Sequence, residues 1–254
     1  MIRGAFVGML AALAVASTAS AQGRGRNPPV TIEDNAPYDG QFTFARIRYT
    51  QALSGGFGFG GGRGPTWLHD YPRGERHFAK ILSELGTIRA RIGGSVILAL
   101  DDPTIFKYPV IYMCEPGYWS PNDAEIKGLR SYLLKGGFMI FDDFRGRDWD
   151  NFEEQMRAVL PKARLIPVPE SHPIYDSFYR INPKLVVPPY GNFPPEFYGI
   201  FENNDPNGRL MVMVNYNNDI SEYWEWSDEG LFPIGPSNEA YKLGVNYVVY
   251  ALTH

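Results

Sequence analysis

The feature that most constrains the fold is an alternation of short apolar runs with helical patterns in the middle of the chain. Residues 96–100, 110–113 and 138–141 are apolar runs with the length of strands that are buried on both faces. Between the last two runs, Ser120 precedes a proline and an apolar stripe at helical spacing, which predicts a helix with Ser120 as its N-cap. Residues 149–160 predict another helix, which a proline ends. This order of elements predicts a parallel sheet with helices on both faces.

The flanking segments extend the same pattern. Residues 43–49 predict a first strand, residues 75–85 a helix and residues 210–214 a further strand. Apolar residues at helical spacing near the end of the chain predict a terminal helix capped by Ser237. The prolines in residues 183–195 predict a surface loop. We therefore expect an α/β fold with one mostly parallel sheet.

The N-terminal residues have the pattern of an export signal. Residues 1–21 contain Arg3, an apolar stretch over residues 5–16 and an Ala-Ser-Ala ending of the kind that signal peptidase cleaves. Such a signal would leave residues 22–40 as a flexible segment and residues 41–254 as a single α/β domain, periplasmic or secreted and without a transmembrane segment. The alternative is an uncleaved N-terminal anchor.

Charge and cysteine content argue against a nucleic-acid-binding protein and against a protein that is stabilised by disulfides. The chain has 24 basic and 28 acidic residues and no dense Lys/Arg block. A nucleic-acid binder would carry a basic patch, so we expect no nucleic-acid partner. Cys114 is the only cysteine, so no intramolecular disulfide can form and stability must come from the core.

Two adjacent carboxylates, Asp142 and Asp143, follow the predicted strand 138–141. Ligands bind at the carboxyl ends of strands in open α/β sheets, so we expect the doublet at a functional edge. Oxygen-bearing side chains that could join it in binding a ligand, or Ca²⁺ or Mg²⁺, are Asp70, Asn215, Asn217 and Asp219. Asp142, Asp143 and Asp219 are the candidate metal ligands. Alternatively, one carboxylate is a general base, or the doublet caps a loop or pairs with an arginine.

Two histidine segments supply further candidates. In the run His69-Asp-Tyr-Pro, Asp70 and Tyr71 are candidate ligand-binding residues, although Asp70 could instead cap a helix. His69 and Asp70 are not expected to form a dyad with each other, because neighbours in an extended segment point apart. His172 precedes a proline and either satisfies a turn or acts as a ligand or a catalytic base.

Two further patterns are ambiguous. Residues 56–61 match G-x-G-x-x-G, but no helix pattern follows, so the glycine-rich loop at residues 54–64 is better interpreted as a lid or partner contact than as a nucleotide site. Tyr216, Tyr223, Trp224 and Trp226 lie among amides and carboxylates, a composition that suits carbohydrate and also the packed edge of a domain.

Several motifs together resemble the bacterial DUF4159 family over about residues 40–254. The motifs are Phe42-Thr-Phe-Ala-Arg-Ile-Arg-Tyr, His69-Asp-Tyr-Pro, Tyr108-Pro-Val-Ile-Tyr-Met, Leu129-Arg-Ser-Tyr-Leu-Leu-Lys-Gly-Gly-Phe-Met-Ile-Phe-Asp-Asp, Ser171-His-Pro-Ile-Tyr, Asn215-Tyr-Asn-Asn-Asp and Leu243-Gly-Val-Asn-Tyr-Val-Val-Tyr-Ala-Leu-Thr-His. The resemblance implies a three-layer, flavodoxin-like fold similar to class I glutamine amidotransferases, in an exported or membrane-associated setting. It implies no established reaction.

Amidotransferase chemistry itself is not expected. Those enzymes use a cysteine on a sharp turn between strand and helix, with a histidine later in the chain. Here that turn carries Asp142 and Asp143, and Cys114 lacks the small residues of such a turn. An inert, buried Cys114 is therefore favoured over a thiol nucleophile paired with His172.

The sequence thus predicts an exported binding or assembly module of the cell envelope, whose partner is an envelope protein or a glycan. The alternative is a hydrolase that acts on carbohydrate or amide substrates through Asp142 or Asp143, with or without a metal. No cofactor other than Ca²⁺ or Mg²⁺ is expected.

Overall fold

A computed structural model describes residues 30–51, 64–86, 88–190 and 193–254. The predicted export signal at residues 1–21 lies outside the described residues. The same is true of residues 22–29 of the N-terminal segment and of residues 54–63 of the glycine-rich loop.

Within the described residues, one sheet of seven strands forms the middle layer. The strands are β1 (Ala45–Ile47), β2 (Val96–Leu98), β3 (Val110–Cys114), β4 (Phe138–Phe144), β5 (Ile166–Pro167), β6 (Glu196–Phe201) and β7 (Leu210–Tyr216). Their order is β2-β1-β3-β4-β7-β6-β5. The first five strands in this order are parallel, while β6 and β5 are antiparallel additions at one edge. The predicted mostly parallel sheet is confirmed, and its parallel part has the flavodoxin-like order.

Five α-helices of the described chain cover the two faces of the sheet. They are α1 (Arg73–Glu84), α2 (Asp123–Leu134), α3 (Asp148–Val159), α4 (Ile220–Glu225) and α5 (Ile234–Thr253). One core joins α2 and α3 to alternate residues of the central strands, and a second core joins α1, α4 and α5 to the others. β3 and β4 are buried along their whole length, because helices cover both of their faces. No helix in the described ranges has both the length and the apolar content that crossing a membrane requires.

Two predicted helix caps were wrong by a few residues. α2 is capped by Asn122 rather than Ser120, because Asn122 and Glu125 form a reciprocal capping box. The amide of Ser120 instead donates to the carbonyl of Thr50. α5 begins at Ile234, so Ser237 lies inside its first turn and donates to a backbone carbonyl there.

The second half of the chain contains elements that the sequence analysis missed. β5 and β6 add to the sheet beyond β7, and the short helix α4 follows β7. β4 is also longer than predicted, because it continues beyond Phe141 through Asp142 and Asp143 to Phe144. The acidic doublet therefore lies within a central strand and not in the loop after it.

Candidate functional site

An irregularity in β4 separates the two carboxylates of the doublet. The register between β4 and β7 shifts between Phe141 and Phe144. Asp143 has a φ of 55°, in the left-handed region that non-glycine residues rarely adopt. Asp142 is fully buried, and burial together with the charge of Asp143 raises the pKa of Asp142 to about 7. The two neighbours therefore occupy different environments.

Asp142 binds the beginning of α4. Its carboxylate accepts hydrogen bonds from Tyr112 Oη at 3.0 Å and Asn215 Nδ2 at 3.1 Å. It also accepts from the backbone amides of Ile220, at 3.0 Å, and Ser221, at 3.2 Å. All of these partners belong to the protein interior, so we infer that Asp142 and Asn215 hold α4 against the sheet rather than face a ligand.

Asp143 instead contacts a histidine from a distant segment. His69 Nδ1 lies 2.6 Å from Asp143 Oδ2, 3.7 Å from Asp70 Oδ1 and 3.9 Å from Glu115 Oε1. Asp70 and Glu115 share the left-handed conformation of Asp143, with φ values of 63° and 47°. Glu115 directly follows β3, which lies beside β4 in the sheet. Strained backbone of this kind persists where surrounding structure enforces it, and it is common at functional sites.

α4 brings further carboxylates to the same place. Asp219 caps this helix, because its Oδ1 accepts from the amide of Glu222 at 3.0 Å. Ser221 Oγ donates to Asp70 Oδ2, which joins α4 to the His69 segment. The second oxygens, Oδ1 of Asp70 and Oδ2 of Asp219, are buried and have no hydrogen-bond partner. Buried polar atoms are nearly always satisfied, so these two oxygens indicate a missing partner.

These side chains converge in two overlapping groups. His69, Asp70, Asp219 and Glu222 each offer a ligand atom, and these atoms lie within 4.8 Å of one another. The same holds for His69 with Glu115 and Asp143. We call the combined set the acidic site, and its members are His69, Asp70, Glu115, Asp143, Asp219 and Glu222.

The imidazole of His69 carries positive charge in this setting. Burial disfavours the charged form, but attraction to Asp70 and the contact with Asp143 outweigh burial and raise the pKa of His69 to about 12. His69 is thus an imidazolium at neutral pH. One such cation faces several carboxylates, so the acidic site retains an excess of negative charge.

Three other carboxyl groups of the acidic site have raised pKa values in these surroundings, so they hold protons more tightly than usual. Burial and the charge of Asp143 raise the pKa of Glu115 to about 8. Burial and the charge of Asp70 raise the pKa of Glu222 to about 8. The pKa of Asp219 also lies well above its usual range, first because of burial and then because of Asp143. Carboxyls that hold protons at neutral pH mark a place where a bound cation would be stabilised.

The donor set fits a divalent cation. Carboxylate oxygens are the ligands that Ca²⁺ and Mg²⁺ prefer, and an imidazole nitrogen also suits Mn²⁺ or Zn²⁺. The two unpartnered oxygens of Asp70 and Asp219 would gain a partner in a bound cation. Metal ligands must be deprotonated, so a cation would replace the proton of His69.

The thiol is not part of this chemistry. Cys114 is fully buried, and burial raises its pKa well above the usual range. Its Sγ lies 3.0 Å from the guanidinium of Arg46. Arg46 also forms a buried ion pair with Glu75 and donates to the carbonyl of Trp67 at 3.0 Å. We therefore interpret Cys114 as a packed core residue.

Other predicted site residues lie elsewhere. The hydroxyl of Tyr71 accepts from the amide of Glu33, in the N-terminal segment. His172 packs against Phe201, which pairs with the first residue of β7 at the amino edge of the sheet, opposite the acidic site. Its Nδ1 accepts from the amide of Ile174, so it satisfies a turn. The structure does not bring His172 to the doublet.

Of the residues proposed to bind carbohydrate, some lie in the core and others lie beside the acidic site. Tyr223 and Trp224 are buried, and Trp224 stacks on Phe78 with 4.4 Å between ring centroids. The side chains of Tyr223 and Trp224 belong to the core that joins α1, α4 and α5 to the sheet. Asn217 is half-buried, has a φ of 54° and lines a pocket beside the acidic site.

Sequence reasoning missed His69, Glu115 and Glu222. Glu115 directly follows β3, so the rule that identified the doublet, applied to β3, would have found it. The expectation that His69 and Asp70 point apart is wrong: Asp70 has a left-handed backbone, and its Oδ1 lies 3.7 Å from His69 Nδ1. The closer contact of His69 is with Asp143, at 2.6 Å. Glu222 could not be placed without α4, for which the sequence gives a weak signal.

The fold and the site define an α/β protein with a cluster of buried carboxylates around one imidazolium, at the carboxyl edge of a flavodoxin-like sheet. A family model described as "Domain of unknown function (DUF4159)" matches residues 43–252, a range that contains every residue of the acidic site. The chain belongs to this family. None of the curated proteins compared with the chain matches it.

Proposed function

We propose that this protein is an exported binding module of the cell envelope whose acidic site holds a divalent cation. One observation supports the cation above all others: the buried oxygens Asp70 Oδ1 and Asp219 Oδ2 lack hydrogen-bond partners in a site that is crowded with carboxyl groups. Burying carboxylates without compensation is costly, and a cation both neutralises them and fills their empty coordination.

The proposed setting is based on the sequence. The signal-like pattern of residues 1–21 and the single cysteine agree with export. The parallel strand order supports a fold similar to class I glutamine amidotransferases. The buried Cys114, with its raised pKa, supports a fold without a nucleophilic thiol.

A second candidate function is a metal-assisted hydrolase that acts on carbohydrate or amide substrates. The contact of 2.6 Å between His69 and Asp143 favours it, because such a pair orients the imidazolium as a general acid. A bound cation would lower the pKa of a water molecule at the same place. In this candidate Asp143 acts with His69, while Asp142 supports α4.

Cation binding is tested with the purified full chain after removal of metal by a chelator. Isothermal titration with Ca²⁺, Mg²⁺, Mn²⁺ and Zn²⁺ should show binding of at least one of these ions. Asp70→Asn should weaken that binding by about tenfold or more, because it removes a charged ligand. Asparagine tolerates the left-handed backbone of Asp70, so the variant keeps the local conformation.

Glu154→Gln is the matched control, because Glu154 is an exposed acidic residue of α3 outside the acidic site. It should bind the cation as the wild type does. The proposal is wrong if the wild type binds none of the four ions, or if the Asp70 and Glu154 variants lose affinity equally.

A further inference from the structure

A pocket opens directly beside the acidic site. Its lining includes Arg145, Tyr190, Phe193, Asn217, Asn218 and Asp219. We call it the Arg145 pocket. Its enclosed space is only about 20 Å³, and about 290 Å³ when the open solvent at its mouth is counted, so a ligand would lie partly in that mouth. Asp219 belongs to both sites, and Tyr190 Oη donates a hydrogen bond to Glu222 of the acidic site. A molecule in this pocket would therefore lie next to a bound cation.

Asn218 is the strongest sign that the pocket receives a polar ligand. It is only 4% exposed, yet neither its Nδ2 nor its Oδ1 has a hydrogen-bond partner. An amide that is buried with both polar atoms unsatisfied destabilises the protein unless a partner arrives from outside. Because it offers one donor group and one acceptor, Asn218 matches a ligand with neighbouring hydroxyl groups.

The rim of the pocket adds an aromatic surface and a positive charge. Tyr190 and Phe193 expose 42% and 63% of their surface, which is enough to receive the apolar face of a ring. The guanidinium of Arg145 lies 5.9 Å from the centroid of the Tyr190 ring. Within the described part of the chain, no carboxylate lies close enough to Arg145 to form a salt bridge. Arg145 is thus available for an anionic group.

We propose that the Arg145 pocket binds an anionic sugar, which is a hydroxylated ring that carries a carboxylate or a phosphate. The ring lies against Tyr190 and Phe193, its hydroxyl groups bind Asn218, and its anionic group pairs with Arg145. This inference rests on the proposed function and deepens it, because it names the class of ligand that the cation-binding module recognises. A neutral sugar would leave Arg145 without a partner.

The test is isothermal titration of the full chain with three probes, in the presence of the cation that the acidic site binds. Glucuronate carries the carboxylate, glucose 6-phosphate carries the phosphate, and glucose is the neutral control. At least one anionic probe should bind about tenfold or more tightly than glucose, because a charge-assisted contact is worth about that factor. The probe that binds identifies which anionic group the pocket selects.

Two variants locate the binding. Arg145→Met should weaken binding of the anionic probe by about tenfold or more. Arg147→Met is the matched control, because Arg147 is also exposed but does not line the pocket, and it should bind like the wild type. Equal binding of glucose, no binding of either anionic probe, or full retention of affinity by Arg145→Met would overturn the inference.

The same titrations separate the two proposals. A chain that binds a cation but neither anionic sugar keeps the proposed function and overturns the Arg145 pocket. Binding of an anionic sugar by a chain that binds none of the four cations would refute the cation-binding function while the pocket assignment stands.

Discussion

Replacement of Asp219 by asparagine tests the electrostatic account of the acidic site most sharply. Asparagine caps a helix as well as aspartate does, so the bond from the amide of Glu222 is kept. The amide nitrogen then takes the position of the unpartnered Oδ2 and faces the neighbouring carboxylates as a donor. Asp219→Asn should therefore stabilise the cation-free protein, although most substitutions of buried residues destabilise.

The size of the stabilisation follows from the cost of the buried, unpartnered Oδ2 of Asp219, which the substitution removes. A buried acceptor without a partner costs about 1–3 kcal/mol, so the variant should gain roughly 1–2 kcal/mol in the free energy of unfolding. For a chain of this size that gain raises Tm by about 2–8 °C. Because the pKa of Asp219 is raised, its carboxyl takes up a proton as the pH falls, and the gain should shrink in the same direction.

Thermal melts in chelator and in excess cation measure both halves of the prediction. A cation at about a hundred times its Kd should stabilise the wild type by about 2.7 kcal/mol and stabilise Asp219→Asn much less. A variant that melts below the wild type in chelator would show that Oδ2 already has a structural partner. A variant that gains as much from the cation as the wild type would remove Asp219 from the ligand set.

Three further outcomes are expected. Without cation, Tm should fall as the pH rises from about 5 to 8. The raised pKa values of Glu115 and Glu222 mean that the folded state holds more protons than the unfolded state over this range. Thermal melts in chelator measure this dependence of Tm on pH. Asp142→Asn should lower the free energy of unfolding by roughly 2–4 kcal/mol, because an amide cannot accept from every donor around Asp142, and urea titration with and without cation should give the same loss. Arg46→Met should cost about 3–5 kcal/mol in urea titration, because it leaves Glu75 buried and without its charged partner.

Each of these outcomes has a clear contrary result. A Tm that rises with pH over the stated range would show that the carboxylates are already neutralised within the protein. A cation that restores the stability of Asp142→Asn would place Asp142 among the ligands. An Arg46→Met variant as stable as the wild type would show that the buried ion pair contributes no net stability.

The sequence predicted the edge of the sheet at which the site lies. The apolar runs that become β3, β4 and β7 are long and continuous, so their burial in a parallel sheet could be inferred, and with it the edge to which the doublet belongs. Asp143, Asp70 and Asp219 do converge there.

The division of labour inside the doublet could not be predicted. It depends on the left-handed backbone of Asp143 and on the amides of α4, which bind Asp142 from a segment far along the chain. α4 has only six residues, too few for helical periodicity to identify it. Left-handed conformations at Asp70 and Glu115 are imposed by tertiary contacts, for which aspartate and glutamate give little local signal.

The hydrogen bond from Ser221 to Asp70 joins segments that are 151 positions apart in the chain. A cation held between the same segments would close a loop of that length, and long loops are the ones whose closure restricts an unfolded chain most. A chain with one cysteine cannot close this loop with an intramolecular disulfide bond. The cation would serve as a removable cross-link, so resistance to proteolysis would follow the supply of ions around the protein and not the redox state of its surroundings.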